Sequence, residues 1–485
     1  MHRNPLTLID GYKISHRQQY PAGTTKVYSN WTPRGTRVAG EIGIIFFGLQ
    51  YFLKEYLGRI WKEGFFDLPK DQVVEVYRNR LGSYLGPNSI PLDHIEKLHD
   101  LGYLPLKFCA FPEGSFVPLR VPSVTVENTH PDHAWLVNYI ETMMSNILWK
   151  PCTSATTARF LRKLLDRYAD QTGGSKAFVQ WQGHDFSFRG MSGLEDACLS
   201  GAGHLVSFTG TDTIPAIEFV EEFYGGNGDA LIGGSVTATE HSVMCAGGKD
   251  GEAATYERLL DTYPEGILSI VSDTWDLWHV LSVILPHLKT KIMNRKGKLV
   301  VRPDSGDPIK IICGNPESHR LEAQLGVVEL LWNVFGGSVN EKGFKTLDPH
   351  VGVIYGDSID RVRMKAILDG LAKKGFASDN IVFGIGSFTY EFVTRDTYGF
   401  AMKATHTVNE HGEMALYKSP VTDDGEKWSA KGRLAVVPGD TGMPVLICDA
   451  TPEQEAQSML TPVWEDGKFL RTSSMSEIRD RAARG

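Results

Sequence analysis

The sequence predicts an α/β protein in which a closed or nearly closed (β/α) barrel is flanked by a mixed α+β domain built from both ends of the chain. Three observations predict it. Between about residues 178 and 394, seven apolar runs follow one another, most with a helical stretch behind them, and strands alternating with helices make a parallel sheet. Each run ends in Gly, Asp, Arg, Ser or His, and such barrels carry their active sites on that edge. The segments on either side, 1–177 and 395–485, share a different texture of short alternating stretches and polar helices, which assigns them to one flanking domain. An open doubly wound sheet is the alternative, because periodicity does not show whether a sheet closes.

In chain order, residues 1–40 read as an irregular, aromatic and basic opening with Asp10-Gly-Tyr-Lys13, Tyr20-Pro21 and Trp31-Thr-Pro-Arg34. The spacing of Phe47, Leu49, Phe52, Leu53, Tyr56 and Leu57 predicts an amphipathic helix over 46–60. Residues 67–100 read as helical but polar, with breaks around Gly82, Gly86-Pro87 and Pro91. Alternation over 104–128, split by Pro112-Glu-Gly114 and Val121-Pro122, predicts two or three antiparallel strands. Two helices, 132–149 and 154–169, follow with Asp132 and Ser154 as N-caps.

The barrel runs end at 184–190, 208–212, 235–241, 270–273, 301–304, 353–357 and 382–387, with the clearest helices at 214–224, 253–263, 321–334 and 360–374. In the tail, 400–407, 414–417 and 434–437 read as strands, and 453–460 and 474–483 as short helices.

Bulk composition narrows the function. The 485 residues are 42% hydrophobic and 22% charged with a formal net charge of −8, so neither nucleic acid nor an anionic membrane is an expected partner. Any anionic ligand must be held by local cations and backbone N–H groups. The six cysteines are scattered and form no C-x-x-C, which argues against a disulfide framework or a structural zinc site. The N-terminus lacks a signal-peptide apolar core, and the most apolar run, 42–53, is too short to span a bilayer. A cytoplasmic protein is the expectation.

The chemistry gathers at the run ends. Leu299-Val-Val-Arg-Pro-Asp-Ser-Gly-Asp-Pro308 reads as a buried strand ending in a tight turn. A guanidinium fork there suits phosphate or carboxylate, and a carboxylate beside it suits a sugar hydroxyl or a metal ion; alternatively Arg302 and Asp304 form an internal pair that pins the loop. The same edge holds Arg189, Asp212, Asp273, Asp357, His241 and Phe186. His241 near Asp273 suits an acid–base or a phosphorylatable nucleophile, or is structural. Phe186 suits stacking on a flat heteroaromatic ring, or is core. Backbone N–H groups of Gly384-Ile-Gly-Ser387, late in the barrel, can cradle a phosphate. Neither a Rossmann fingerprint nor a Walker A sequence is present.

Asp10-x-Tyr-Lys13, His184-Asp-Phe-x-x-Arg-Gly190, Gly210-Thr-Asp-Thr213, Glu240-His-Ser242, Arg302-Pro-Asp-Ser-Gly306, Gly356-Asp357 and Thr394-Arg-Asp396 occur in one order, and as a set they resemble the nicotinamide phosphoribosyltransferase family. The resemblance implies the irregular barrel of the type II phosphoribosyltransferases and a head-to-tail homodimer with shared active sites. It implies that nicotinamide and phosphoribosyl diphosphate are the substrates, ATP an activating co-substrate and Mg²⁺ a cofactor. Phe186 and Tyr12 of the neighbouring subunit would sandwich the pyridine ring. Asp212 would accept a carboxamide N–H and repel the carboxylate of nicotinate. Arg302 and Arg189 would contact the amide oxygen, ribose or phosphates; Asp304 would bind ribose hydroxyls and Asp357 would position the sugar. Gly356, Gly384, Gly386 and Ser387 would surround the 5-phosphate. Arg34, Arg395, Lys403 and Lys418 match basic positions for diphosphate or ATP, and His241 matches the histidine that ATP phosphorylates, oriented by Asp273. Asp304 and Asp273 are the candidate metal ligands. Two departures stand out: Gly386-Ser-Phe388 replaces a run of glycines, so Phe388 could narrow the phosphate turn, and the segment after Trp31 is short.

Overall fold

The computed structural model describes residues 4–86, 90–225, 231–356, 358–418 and 430–485. The chain forms two compact units: 1–156 with 219–230 and 393–485, and 157–218 with 231–392. The first boundary therefore lies about twenty residues before the expected 177/178, inside one helix, and the second at 392/393 lies close to the expected 394/395. The short described segment 219–225 also returns to the first unit.

The first unit is built around a seven-stranded antiparallel sheet in the order Gly412–Ala415, Phe400–Asn409, Lys26–Pro33, Val124–Asn128, Leu106–Ala110, Thr461–Glu465, Lys468–Phe469. Strands from both ends of the chain thus interleave in one sheet. Lys26–Pro33 corrects the irregular opening expected over 1–40. Seven of its eight residues are buried, including Ser29, Asn30 and Thr32, so the strand shows no polar face for alternation to detect.

Two further corrections concern helices. The pair expected over 132–149 and 154–169 is a single 32-residue helix, Glu141–Thr172, with Pro151 inside it. Proline removes one ladder bond and crowds the preceding turn, but Gly48 (φ +108°) leaves the space its ring needs: a Cβ at Gly48 would lie 2.6 Å from Pro151 Cγ. Ser154 is therefore a buried mid-helix residue and caps nothing. The helix expected over 46–60 begins at Leu49 and continues in wide π-type turns, Phe52–Ile60 and Lys62–Phe66. The stretch 321–334 breaks into Leu321–Leu325 and Val327–Phe335 at Gly326 (φ +83°).

The second unit is the barrel. Its strands are β1 (Gly183–Asp185), β2 (Gly210–Thr211), β3 (Thr237–Ala238), β4 (Glu265–Val271), β5 (Lys296–Arg302), β6 (Val351–Tyr355) and β7 (Ile381–Ile385). All pair in parallel, in the spatial order β2-β1-β7-β6-β5-β4-β3. One parallel bridge, Gly210 to Gly234, closes the seam between β2 and the chain entering β3. Thr211 N–H donates to Gly234 O at 3.0 Å and Gly234 N–H to Thr209 O at 2.9 Å. Each strand neighbours its sequence neighbour around a ring, which excludes the doubly wound alternative. All seven expected runs supply a strand.

Alternation along the strands decides where the core sits. Leu299 and Val301 of β5, Val351, Val353 and Tyr355 of β6, and Ile381, Phe383 and Ile385 of β7 are buried in the apolar cluster shared with the helices. The alternate residues Lys298, Val300, Arg302, Gly352, Ile354 and Val382 line the barrel interior, where small residues (Gly352, Ser269, Ala238) leave a cavity of about 410 Å³.

His204 ties this ring together: its Nε2–H donates to Gly210 O (2.9 Å) and its Nδ1 accepts from the Tyr390 hydroxyl (2.7 Å). Burial pushes its pKa down to about 4, and burial likewise lowers His94 and His133 to about 4. These histidines stay neutral in the folded protein while the unfolded chain takes up protons below pH ~6.5. Stability should therefore fall as pH drops from about 6.5 to about 4, by at most ~1.4 kcal/mol per pH unit for each such histidine. Denaturant unfolding of His204→Gln across that range should show a slope shallower by about one proton.

Candidate active site

β5 delivers Arg302 and Asp304 to the strand-end mouth of the barrel. Among the described residues they form no ion pair with each other. Arg302 Nη2 instead donates to Thr239 O at 2.8 Å, and its Nε is buried without a partner in the protein. The loop is pinned by Asp273, just beyond β4. One Asp273 oxygen accepts Asp304 N–H (3.0 Å) and the Ser305 hydroxyl (2.5 Å), and the other accepts His241 Nε2 (3.3 Å). A single buried carboxylate thus joins three successive strand ends and leaves the Arg302 fork and the Asp304 carboxylate available. With Nε2–H committed to Asp273, the half-exposed His241 presents Nδ1 as its nucleophilic nitrogen.

Asp212, just beyond β2, shares one wall of the cavity with Phe186, His184, Ser235 and Arg302. Its Oδ1 accepts from His184 Nε2 (2.9 Å) and the Ser235 hydroxyl (2.5 Å), and its backbone N–H donates to Asp185 O (2.9 Å). Burial alone would raise the carboxyl, but the His184 and Ser235 hydrogen bonds, with the charges of His184 and Arg302, hold it below the usual carboxylate range. Asp212 is therefore an anion at neutral pH with Oδ2 left for a ligand donor. Phe186 lies 4.8 Å from the His184 ring, centroid to centroid. Gly384 makes room for the phenyl ring: a Cβ there would stand 2.4 Å from Phe186 Cδ2. Gly356 makes room for Asp304, whose Oδ1 would lie 2.8 Å from a Cβ. Asp357 lies outside the described residues.

At the end of β7, Gly386 precedes the short helix Ser387–Tyr390. Gly190 packs against Ser387, since a Cβ on Gly190 would stand 2.2 Å from its Oγ, and this brings the exposed Arg189 beside the same turn. Phe388 does not line the cavity; it packs on Phe392 (5.5 Å between centroids) beneath Arg363.

Tyr12, Arg34, Arg395, Lys403 and Lys418 belong to the first unit. Tyr12 is 60% exposed on a short 3₁₀ turn, Gly11–Ser15. Partial burial lowers the Lys403 ammonium, Glu141 raises it, and the nearby charges of Arg34, Lys418 and Lys13 lower it further. Arg34, Lys403 and Lys418 therefore form one cationic cluster, joined by Lys13, whose ammonium is paired with Glu141. Arg395 is exposed beside Asp396 (3.5 Å).

Sequence reasoning gave no role to His184, Ser235, Lys13 or Glu141. The first two stood inside motifs already singled out, but only the closed ring brings them together at Asp212. It also missed Lys298, whose position two and four residues before Val300 and Arg302 was a usable signal of an inward-facing row.

Three comparisons bear on this geometry. Residues 181–468 match the Nicotinate phosphoribosyltransferase (NAPRTase) family, and residues 4–83 match the N-terminal domain of nicotinamide phosphoribosyltransferase. The chain is 51% identical, over 99% of its length and 97% of the relative's, to a protein of Acinetobacter baylyi named nicotinamide phosphoribosyltransferase. A protein of the same name from Mycoplasma pneumoniae is 38% identical over 89% of this chain and 95% of its own. Among solved structures, nicotinate-nucleotide pyrophosphorylase from Pyrococcus furiosus shares the fold with a TM-score of 0.61 at 15% identity, covering 99% of this chain and 95% of that one.

The glycines of the mouth should separate by what they face. Gly384→Ala should cost about 1–3 kcal/mol in denaturant unfolding and displace the Phe186 ring in a crystal structure, because overpacking has no slack to relax into. Gly386→Ala, with nothing within 4 Å of the added Cβ, should stay within ~0.5 kcal/mol of the parent.

Proposed function

The chain belongs to the nicotinamide phosphoribosyltransferases of the nicotinate phosphoribosyltransferase family, and we propose that it transfers the 5-phosphoribosyl group of phosphoribosyl diphosphate to nicotinamide. The products are nicotinamide mononucleotide and diphosphate, which places the enzyme in NAD salvage. The observation that carries the choice of pyridine is Asp212: an anionic carboxylate on the cavity wall, with one oxygen already saturated and one open. An amide can donate to that oxygen. A nicotinate carboxylate has no proton for that oxygen and would be repelled by its like charge, which disfavours the acid.

Displacement at C1 of the ribose passes through an oxocarbenium-like state and needs no general base, since the pyridine nitrogen carries no proton. The residues therefore orient and neutralise. Phe186 offers its face to the pyridine ring, with Tyr12 of a second subunit as the other face of a head-to-tail homodimer. Arg302 has donors left for the amide oxygen or phosphate once Thr239 is served. Asp304 holds ribose hydroxyls and, with Arg189 and the turn at Gly384, Gly386 and Ser387, receives the phosphorylated sugar; Gly356 keeps that space open. Arg34, Arg395, Lys403 and Lys418 take diphosphate or the ATP phosphates.

No group of three or more acidic, His or Cys side chains able to hold a metal occurs among the described residues. Both Asp273 oxygens are engaged, so of the two candidate ligands Asp304 fits better. Mg²⁺, when bound, supplies charge neutralisation at the leaving diphosphate and needs only one or two carboxylates beside the substrate's own phosphates. His241 is the candidate acceptor of the ATP phosphoryl group through Nδ1, with Asp273 stabilising the cationic ring. Among the described residues no helix is long and apolar enough to cross a membrane, in keeping with a cytoplasmic enzyme.

A turnover assay with phosphoribosyl diphosphate and each pyridine, with and without ATP, tests the reading; a preference for nicotinate overturns it. Asp212→Ser should cut kcat/KM for nicotinamide by about 10–100-fold, the loss of a hydrogen bond to a charged group, while KM for phosphoribosyl diphosphate stays within about twofold. His241→Ala should abolish phospho-enzyme and ATP hydrolysis, measured with γ-labelled ATP, and leave transferase activity without ATP measurable.

A further inference from the structure

Asp212 does not hold its position alone. Its side chain stands at the seam where the barrel closes, between β2 and the chain entering β3, and a carboxylate there is free to rotate about χ1 and χ2 unless something fixes it. Two donors do so, one from β1 and one from the chain entering β3. His184, inward on β1 and 8% exposed, reaches Oδ1 at 2.9 Å, and Ser235, across the seam, reaches the same oxygen at 2.5 Å. The two donors are themselves 3.4 Å apart, so they converge on one lone-pair region. The His184 ring cannot drift, since it is packed against Gly210, where a Cβ would stand 2.7 Å from Nδ1, and against Phe186.

We infer that Ser235 and His184 are positioning residues for pyridine selection, which by saturating Asp212 Oδ1 aim Oδ2 at the carboxamide and fix the amide's orientation relative to Phe186. The inference rests on the functional reading above and adds to it the two residues through which Asp212 acts. Its chemistry is one-sided. A carboxylate that accepts two hydrogen bonds on one oxygen presents a single, oriented acceptor. An amide donates to that acceptor, whereas an incoming carboxylate has no proton to offer it and meets a like charge that the two hydrogen bonds keep from turning away. Without the Ser235 hydroxyl the carboxylate regains rotation, and the nicotinamide complex must order it on binding. Arg302 is the charged group facing this carboxylate from β5, and its charge persists in every variant considered.

The test compares Ser235→Ala with Ser235→Thr, which keeps the hydroxyl, using steady-state kinetics with nicotinamide, nicotinate and phosphoribosyl diphosphate on the full-length enzyme. Ser235 is exposed to the cavity, so neither variant removes a core residue. Ser235→Ala should raise KM for nicotinamide about tenfold and lower the nicotinamide-over-nicotinate preference by a similar factor. KM for phosphoribosyl diphosphate should stay within about twofold, and Ser235→Thr should restore most of the preference. His184→Gln, which keeps a side-chain N–H, should fall between wild type and His184→Leu. A preference unmoved in Ser235→Ala, or a parallel rise in KM for both substrates, overturns the inference. A wild-type enzyme that prefers nicotinate overturns the functional reading instead, and the inference with it.

Discussion

The constraint on which the barrel depends is the two-residue period of its strands, applied with an unusual division of labour. Positions such as Leu299, Val301, Val353 and Phe383 face the helices and carry the apolar core. The positions between them are given to Gly352, Ser269, Ala238, Lys298 and Arg302, which leave the interior hollow. Barrels of this class normally fill that space with branched side chains. Here the main apolar core lies between strands and helices, and the interior, lined in part by Val300, Ile354 and Val382, keeps a cavity. Shifting one strand by a residue would exchange the two roles, driving Lys298 and Arg302 into the core and emptying apolar groups into the cavity. Register and site are therefore one constraint.

Much of this was legible because strand ends carry chemistry that helices and loops do not disguise. All seven runs that end in polar residues became strands, and the helix at Ile214–Tyr224 fell where its periodicity put it. Three features resisted reading for physical reasons. Lys26–Pro33 is covered on both faces, so its buried Ser29 and Asn30 imitate a loop. Pro151 sits between the two helices expected at 132–149 and 154–169, and its tolerance inside one continuous helix depends on Gly48, more than a hundred positions earlier in sequence. The Arg302–Asp304 turn left two readings open, and the deciding residue, Asp273, belongs to a different strand.

The electrostatics are local throughout. A chain with a formal net charge of −8 nevertheless gathers Arg34, Lys403, Lys418 and Lys13 so closely that their charges add to partial burial in lowering the Lys403 ammonium, against the opposing pull of Glu141. An anion placed among them would relieve that repulsion. Asp273 applies the opposite logic. It divides its hydrogen bonds among His241, Asp304 and Ser305, coupling the orientation of His241 to that of the loop after β5.

The seam between β2 and β3 gives the ring a direction of weakness. The ladders are uneven, seven residue pairs long between β4 and β5 but two between β1 and β2 and two between β3 and β4. At the seam, Thr211 and Gly234 supply the closing backbone bonds, and Ser235 and Asp212 add a side-chain clasp directly above them. Local openings favour places with few cooperative bonds, and the two short ladders and the seam lie next to one another in the ring, around Asp212 and Ser235. Amide-proton exchange at Thr211 and Gly234 is thus a clock for the pocket, and a ligand that bridges the two edges slows it by acting as the missing rung of the ladder.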